Sequence, residues 1–160
     1  MELVILIGLQ ASGKSTFARQ QFATSHTYVS KDLLRNIGRP DRRQAQLVTA
    51  ALQAGRSVVV DNTNPTISAR AALISLGRTF GANIAGYYFP ASVREALHRN
   101  RARTGKARVP DVAIFVTHKH LVPPRYAEGF DALYTVRIGA DGVFDVCGCP
   151  QEEIDLPAQR

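Results

Sequence analysis

The chain has 160 residues, 45% of them hydrophobic and 21% charged, and its 20 Lys and Arg against 13 Asp and Glu give a formal charge of +7. That composition supports one ordinary buried core and excludes a disordered polymer. No apolar run nears the ~20 residues of a membrane-spanning helix, and two cysteines, Cys147 and Cys149, are too few for a disulfide framework or a zinc cage. The expectation is therefore one domain over residues 1–160 in a reducing cytoplasm, with no membrane association. The charge is unevenly placed: residues 1–138 hold 19 basic and 8 acidic side chains, whereas residues 139–160 hold one and five and read as an acidic tail. The surplus asks for an anionic partner without saying which.

In chain order, Leu3–Ile7 is a short, wholly apolar run of branched side chains, the pattern of a strand buried on both faces. Gly8–Gly13 is a turn, Lys14–Ala23 a helix and Thr27–Ser30 a second strand. A brief helix over Lys31–Asn36 is closed by Gly38 and Pro40, and Asp41 is placed to cap a helix running to Ala54 before the Gly55 stop. Ser57–Val60 is a third strand ending in Asp61, after which Asn64-Pro65 predicts a capped helix to about Phe80. Ile84–Phe89 is a fourth strand. Ser92 opens a basic helix to about Thr104, and Pro110 opens another that ends before Pro123-Pro124. Leu133–Ile138 is a fifth strand, and Asp141-Gly142 is a hairpin turn into Val143–Val146. Strands alternating with helices predict an α/β fold, a mostly parallel sheet covered on both faces.

The most specific motif is Gly8-Leu9-Gln10-Ala11-Ser12-Gly13-Lys14-Ser15-Thr16, which matches the phosphate-binding P-loop in full, after a strand and before a helix. Its glycines let successive amides face a phosphate, and the helix N-terminus favours the anion. Lys14 is the expected cation for the β- and γ-phosphates of a nucleoside triphosphate, and the Ser15 hydroxyl is an expected Mg²⁺ ligand. Asp61, at the end of a strand, fits the second metal element, or else a turn hydrogen bond. Asp32 fits either an N-cap or a base that takes a proton from an acceptor alcohol. The basic run Arg99–Arg108 is a solvated helix face or a lid over phosphates. His118 and His120 fall on different helix faces, and Cys147 and Cys149 read as small residues of a tail strand. Arg70 points to acceptor or solvent, with solvent expected; Tyr126 packs near the nucleobase or is a core or loop residue; and residues 151–160 are expected to form a loose acidic end.

With these residues in place, the chain resembles the kinase domain of 5′-polynucleotide kinases, the phage, mammalian and bacterial nucleic-acid end-healing enzymes, and their AAA-type relatives. The blocks that carry the resemblance are Gly8–Thr16, Asp32 with Leu33–Arg35, Asp61-Asn62-Thr63-Asn64-Pro65, and Arg99-Asn100-Arg101-Ala102-Arg103 leading to Val109-Pro110. Ala127-Glu128-Gly129-Phe130-Asp131 is a weaker fifth. The resemblance implies an adenylate-kinase-like P-loop fold with a helical lid, ATP as phosphate donor and Mg²⁺ as cofactor. It implies that Asp32 is the general base, that Arg35 joins it in holding the acceptor, and that Asp61 and Ser15 support the metal. It further implies that Arg103, with Arg99, closes over the transferred group as part of an ATP site made by Gly8, Gln10, Ala11, Ser12, Gly13, Lys14, Ser15 and Thr16. The implied substrates are 5′-hydroxyl ends of DNA or RNA, with a separate phosphatase or ligase as partner, because no Asp-x-Asp-x-Thr phosphatase motif is present. Lys31 stands where the family commonly has Arg, which keeps the charge but loses the bidentate fork. The absence of Trp and an aromatic content of 8% argue against an extended base-stacking platform. A kinase of a small alcohol uses the same P-loop and carboxylates, and a non-catalytic nucleotide-binding module needs only the P-loop.

Overall fold

In the computed structural model, which describes residues 1–151, six strands form one sheet. They are β1 (Glu2–Gly8), β2 (Thr27–Val29), β3 (Val58–Asp61), β4 (Asn83–Phe89), β5 (Ala132–Ile138) and β6 (Phe144–Gly148). The order across the sheet is β2-β3-β1-β4-β5-β6, all parallel except the β5–β6 hairpin. Five helices cover it: α1 (Lys14–Phe22), α2 (Pro40–Gln53), α3 (Ile67–Thr79), α4 (Val93–Arg101) and α5 (Asp111–His120). No helix among the described residues is long and apolar enough to cross a membrane.

β1 is apolar without alternation because both its faces are covered. Leu3, Ile5 and Ile7 pack with Val48 and Leu52 of α2 and Leu73 and Ile74 of α3, whereas Val4 and Leu6 pack with Phe17 and Phe22 of α1. Full burial of such side chains is worth ~1.5–3 kcal/mol each, so this central strand is a firm anchor for the loop that leaves its end. A third small core sits above the carboxyl end of the sheet, where Leu9 meets Ala96 of α4 and Ile114 of α5. The α4–α5 pair thus rests directly on the P-loop.

Several predicted boundaries change for physical reasons. The helix expected to be capped by Asn64 begins at Ile67, and its cap is the Thr66 side chain, which accepts from Ala69 N. Asn64 is buried with φ 42°, a left-handed conformation that Asn tolerates, and its amide donates to Leu6 O. Asp41 is not a cap either: Arg39 holds that position, Pro40 is the first helical residue, and Asp41 pairs with Lys31 at 2.5 Å. Ser92 does cap α4, in a reciprocal capping box with Glu95, but the helix stops at Arg101 instead of Thr104. The expected acidic tail divides. Residues up to Gly148 complete the sheet through the predicted Asp141-Gly142 turn, with Gly142 N donating to Gly139 O, and residues 152–160 lie outside the described residues.

Candidate active site

The P-loop runs from the end of β1 into α1. At Gly8 an added Cβ would lie 2.9 Å from Phe89 Cβ and 3.0 Å from Phe89 O. At Gly13, with φ +95°, it would lie 2.9 Å from Ile138 Cδ1, so only glycine fits either place. Ala11 takes a left-handed conformation, with φ 60°, inside the same curl, and Thr16 lies exposed on the first turn of α1. The Lys14 amine is 7% exposed and donates to Gly8 O at 3.0 Å, Leu9 O at 2.5 Å and Ser12 Oγ at 3.3 Å. Burial pushes it down to about 8, and the charge of Arg103 acts in the same direction, while the Asp61 and Asp32 carboxylates oppose the shift. Those opposing charges place Asp32, Asp61 and Arg103 within electrostatic reach of one amine. Gln10 donates from Nε2 to Thr117 Oγ1 at 2.9 Å, tying the loop to α5.

The Asp61–Pro65 string connects every part of this region. The Asp61 Oδ2 atom accepts from both Ser15 Oγ and Tyr28 OH at 2.5 Å. Tyr28 was not foreseen, because a tyrosine in a three-residue edge strand carries no local sign of its partner. Burial, with the bond to Asp61, pushes its phenol up to about 12. The Asn62 side chain accepts from Lys31 N at 2.9 Å and donates to Gln44 of α2 at 2.5 Å. Thr63 O accepts from Gly8 N at 3.0 Å, so the string also steadies the start of the P-loop.

Asp32 sits in a single 3₁₀ turn, Lys31–Leu34, which is capped by Ser30 and not by Asp32 itself. Arg35 donates to Asp32 Oδ1 from Nε at 3.1 Å and Nη2 at 2.8 Å, leaving Oδ2 without a hydrogen-bond partner among the described residues. On the other side, a 240 Å³ cleft opens beside Ser12, walled by Phe89, Glu95, Arg99, Arg137 and Ile138. Buried Asn100, unremarked within the basic run, pins the 102–110 loop. It donates to Val109 O at 2.7 Å and accepts from Val109 N at 3.0 Å. Arg103 rises from that loop half-buried, its backbone N donating to Asn100 O and its guanidinium making, among the described residues, a single long 3.4 Å hydrogen bond to Ala107 O. Arg101, in contrast, turns outward to Asp111.

Arg70 does not face solvent. It is 0% exposed and forms a two-toothed ion pair with Glu128, Nε to Oε2 at 2.7 Å and Nη2 to Oε1 at 2.8 Å. Its Nη1 donates to the carbonyls of Asn64, Pro65 and Val122. It therefore clamps the Asp61–Pro65 string to the segment leaving α5. Tyr126 is a loop tyrosine whose hydroxyl donates to Cys149 O and accepts from Leu133 N.

A family of AAA domains matches residues 3–122. The chain is 32% identical over 136 residues to the bifunctional polynucleotide phosphatase/kinase of Schizosaccharomyces pombe, covering 81% of this chain and 32% of that protein. It thus spans about a third of that relative's length. A chain of the solved Pnkp1/Rnl/Hen1 complex superposes with a TM-score of 0.56 at 28% identity, over 61% of this chain and 38% of that one. A gluconokinase from Sinorhizobium meliloti 1021 superposes over 96% of this chain and 86% of its own, with a TM-score of 0.61. At 19% identity the latter is a likeness of fold alone. The P-loop, the sheet order and the match over residues 3–122 agree: this chain belongs to the AAA domain family of P-loop proteins, and its motifs and curated relative carry the resemblance to polynucleotide kinases.

Proposed function

We propose that the protein is a kinase that moves the γ-phosphoryl group of ATP to the 5′-hydroxyl of DNA or RNA. The observation that supports this best is the Asp32–Arg35 pair, exposed, with Asp32 Oδ2 free, and within electrostatic reach of the P-loop lysine. In this reading Arg35 holds one oxygen of Asp32 and an acceptor phosphate, and Oδ2 accepts the proton of the attacking hydroxyl. A bond forms from the 5′-hydroxyl oxygen to the γ-phosphorus, the bond from phosphorus to the oxygen bridging to the β-phosphate breaks, and ADP leaves. Lys14 holds the β- and γ-phosphates, and Arg103 with Arg99 stabilises charge on the moving group, which is where most of the catalysis of phosphoryl transfer lies. The cleft beside Ser12 is the place for the nucleoside end of ATP.

The Ser15 hydroxyl and the Asp61 carboxylate form a hard oxygen pair that suits Mg²⁺, an ion commonly held by one or two carboxylates plus substrate phosphates. Among the described residues no cluster of three or more His, Cys, Asp or Glu offers a fuller cage. When bound, Mg²⁺ supplies neutralisation of phosphate charge. Tyr28 is a positioning residue for Asp61, and Tyr28→Phe is expected to raise the Mg²⁺ concentration needed for half-maximal nucleotide binding by roughly tenfold. Titration calorimetry of ADP against Mg²⁺ checks this; an unchanged midpoint removes Tyr28 from the metal's support.

A pH dependence follows from Lys14. Its amine is held near 8, so in the free protein it is charged at pH 7 and mostly neutral above about 9, whereas holding phosphates needs the cation. Nucleotide affinity should therefore fall as pH rises through about 8, and binding should take up a proton between about 8 and the ordinary value of 10.5. Calorimetry in buffers of different ionisation enthalpy reads that proton directly, and Lys14→Met should abolish the uptake.

The reading is tested by offering labelled ATP and Mg²⁺ to 5′-hydroxyl DNA, 5′-hydroxyl RNA and a panel of sugars and nucleosides at low and high salt. Transfer to the polynucleotides that falls steeply with salt is expected, because several phosphates are held. Salt-indifferent transfer to a small alcohol would assign the site to a small-molecule kinase. Nucleotide binding without transfer to any acceptor would mark a non-catalytic module.

A further inference from the structure

The acceptor side carries more positive charge than one terminal nucleotide can use. Lys31, Arg35, Arg39, Arg42 and Arg43 fall within 13 residues. Two of them are already neutralised, Lys31 by Asp41 and Arg35 by Asp32. Arg39, Arg42 and Arg43 are exposed and have no carboxylate partner among the described residues; the Arg43 guanidinium donates to Gln46 Oε1 at 3.4 Å. They sit at the N-cap and in the opening turns of α2, a 14-residue helix. The helix dipole favours anions there and opposes cations, so local stability does not account for three arginines in that place.

Their position relative to Asp32 is fixed. The Lys31–Asp41 ion pair and the chain of bonds from Lys31 N through Asn62 to Gln44 hold the start of α2 against the Asp32 turn. Between Asp32 and Arg39 along the chain come Leu33, 70% exposed, and Ile37, 46% exposed, large apolar side chains left open among cationic residues. Phosphates need the arginines, and sugars and bases offer the flat apolar surface that the two aliphatic residues can cover. A small neutral alcohol would use neither.

We infer that a single-stranded nucleic acid runs from the Asp32–Arg35 site across Leu33 and Ile37 onto the start of α2, where Arg39, Arg42 and Arg43 hold phosphates beyond the first nucleotide. The inference rests on the kinase reading for where the 5′ end sits, but binding tests it separately from transfer. The probe is a fluorescent 5′-hydroxyl ten-nucleotide strand, compared with a dinucleotide. The protein is the parent chain and the triple variant Arg39→Gln/Arg42→Gln/Arg43→Gln, whose altered residues are exposed and outside the catalytic set. The parent should bind the ten-mer at least tenfold more tightly than the dinucleotide, and the variant should lose that advantage. The slope of log affinity against log salt should become shallower by about 2, from three contacts at about 0.7 each. Equal ten-mer affinity and salt slope in parent and variant overturn the surface. A matching loss for the dinucleotide also overturns it, since the arginines would then serve the terminal nucleotide alone. A parent that binds the ten-mer through these arginines yet labels no 5′-hydroxyl keeps the surface and loses the kinase reading. A parent that labels the ten-mer, with ten-mer affinity unchanged in the variant, does the reverse.

Discussion

Asp32→Ala is expected to lower phosphoryl transfer by roughly 10²–10⁴-fold, the usual contribution of a positioned general base, while leaving nucleotide affinity nearly unchanged. Asp32 projects from the turn after β2, and among the described residues its side chain is bonded by Arg35 alone, twice to Oδ1. Losing an exposed side chain from a 3₁₀ turn capped by Ser30 does not disturb the P-loop, whose own bonds run through Gly8, Leu9, Ser12 and Thr63. Single-turnover transfer measured beside nucleotide calorimetry separates the two effects. A variant with a normal transfer rate would remove Asp32 from the chemistry. One that also failed to bind nucleotide would point to a wider structural role.

Arg70→Met is expected to destabilise the fold by about 3–5 kcal/mol, because it leaves the Glu128 carboxylate buried without its cation. The Glu128 side chain is 6% exposed, and three carbonyls lose their donor in the same change. For a domain of this size the loss corresponds to a melting temperature lower by on the order of 10 °C. Chemical denaturation checks the figure. The double variant Arg70→Met/Glu128→Leu should recover much of the loss, since a hydrophobic pair of similar volume can replace a buried ion pair with little penalty. If the single variant loses less than about 1 kcal/mol, the clamp on the Asp61–Pro65 string is not the source of its rigidity.

The contrast between these two residues shows what the sequence could disclose. The place of Asp32 just after β2 and of Asp61 at the end of β3 was legible from the short strands that precede them, β1 from its unbroken apolar run, and the P-loop from its glycine spacing. Arg70 read as a solvent residue because its partner, Glu128, lies 58 positions away, a separation to which local periodicity is blind. Asn64 read as a helix cap because Asn before Pro commonly is one. Its amide is instead engaged by Leu6 O, 58 residues back, and Thr66 takes over the capping. Tyr28 and Gln44 were missed similarly: each has an unremarkable local setting, and only the pairing of β2 with β3 and the packing of α2 on the sheet bring them to Asp61 and Asn62. The basic run was legible as charge but not as geometry. Within it, Arg103 lies within electrostatic reach of the P-loop lysine whereas Arg101 pairs outward with Asp111, and Asn100 pins the loop that carries Arg103 through its bonds to Val109.

One string of five residues joins the P-loop to the Asp32 turn and the start of α2. Asp61 answers to the P-loop serine, Asn62 to the start of α2 and the Asp32 turn, and Asn64 and Pro65 to β1 and Arg70. In the proposed kinase, that wiring would hold the donor side and the acceptor side in register.

The most direct measurement offers γ-labelled ATP and Mg²⁺ to one oligonucleotide in two forms, with a 5′-hydroxyl and with a 5′-phosphate. Label that enters the 5′-hydroxyl strand, one phosphate per chain, and leaves the 5′-phosphorylated strand unlabelled is the predicted result. Label in neither strand, while a sugar or nucleoside is phosphorylated under the same conditions, would contradict the account.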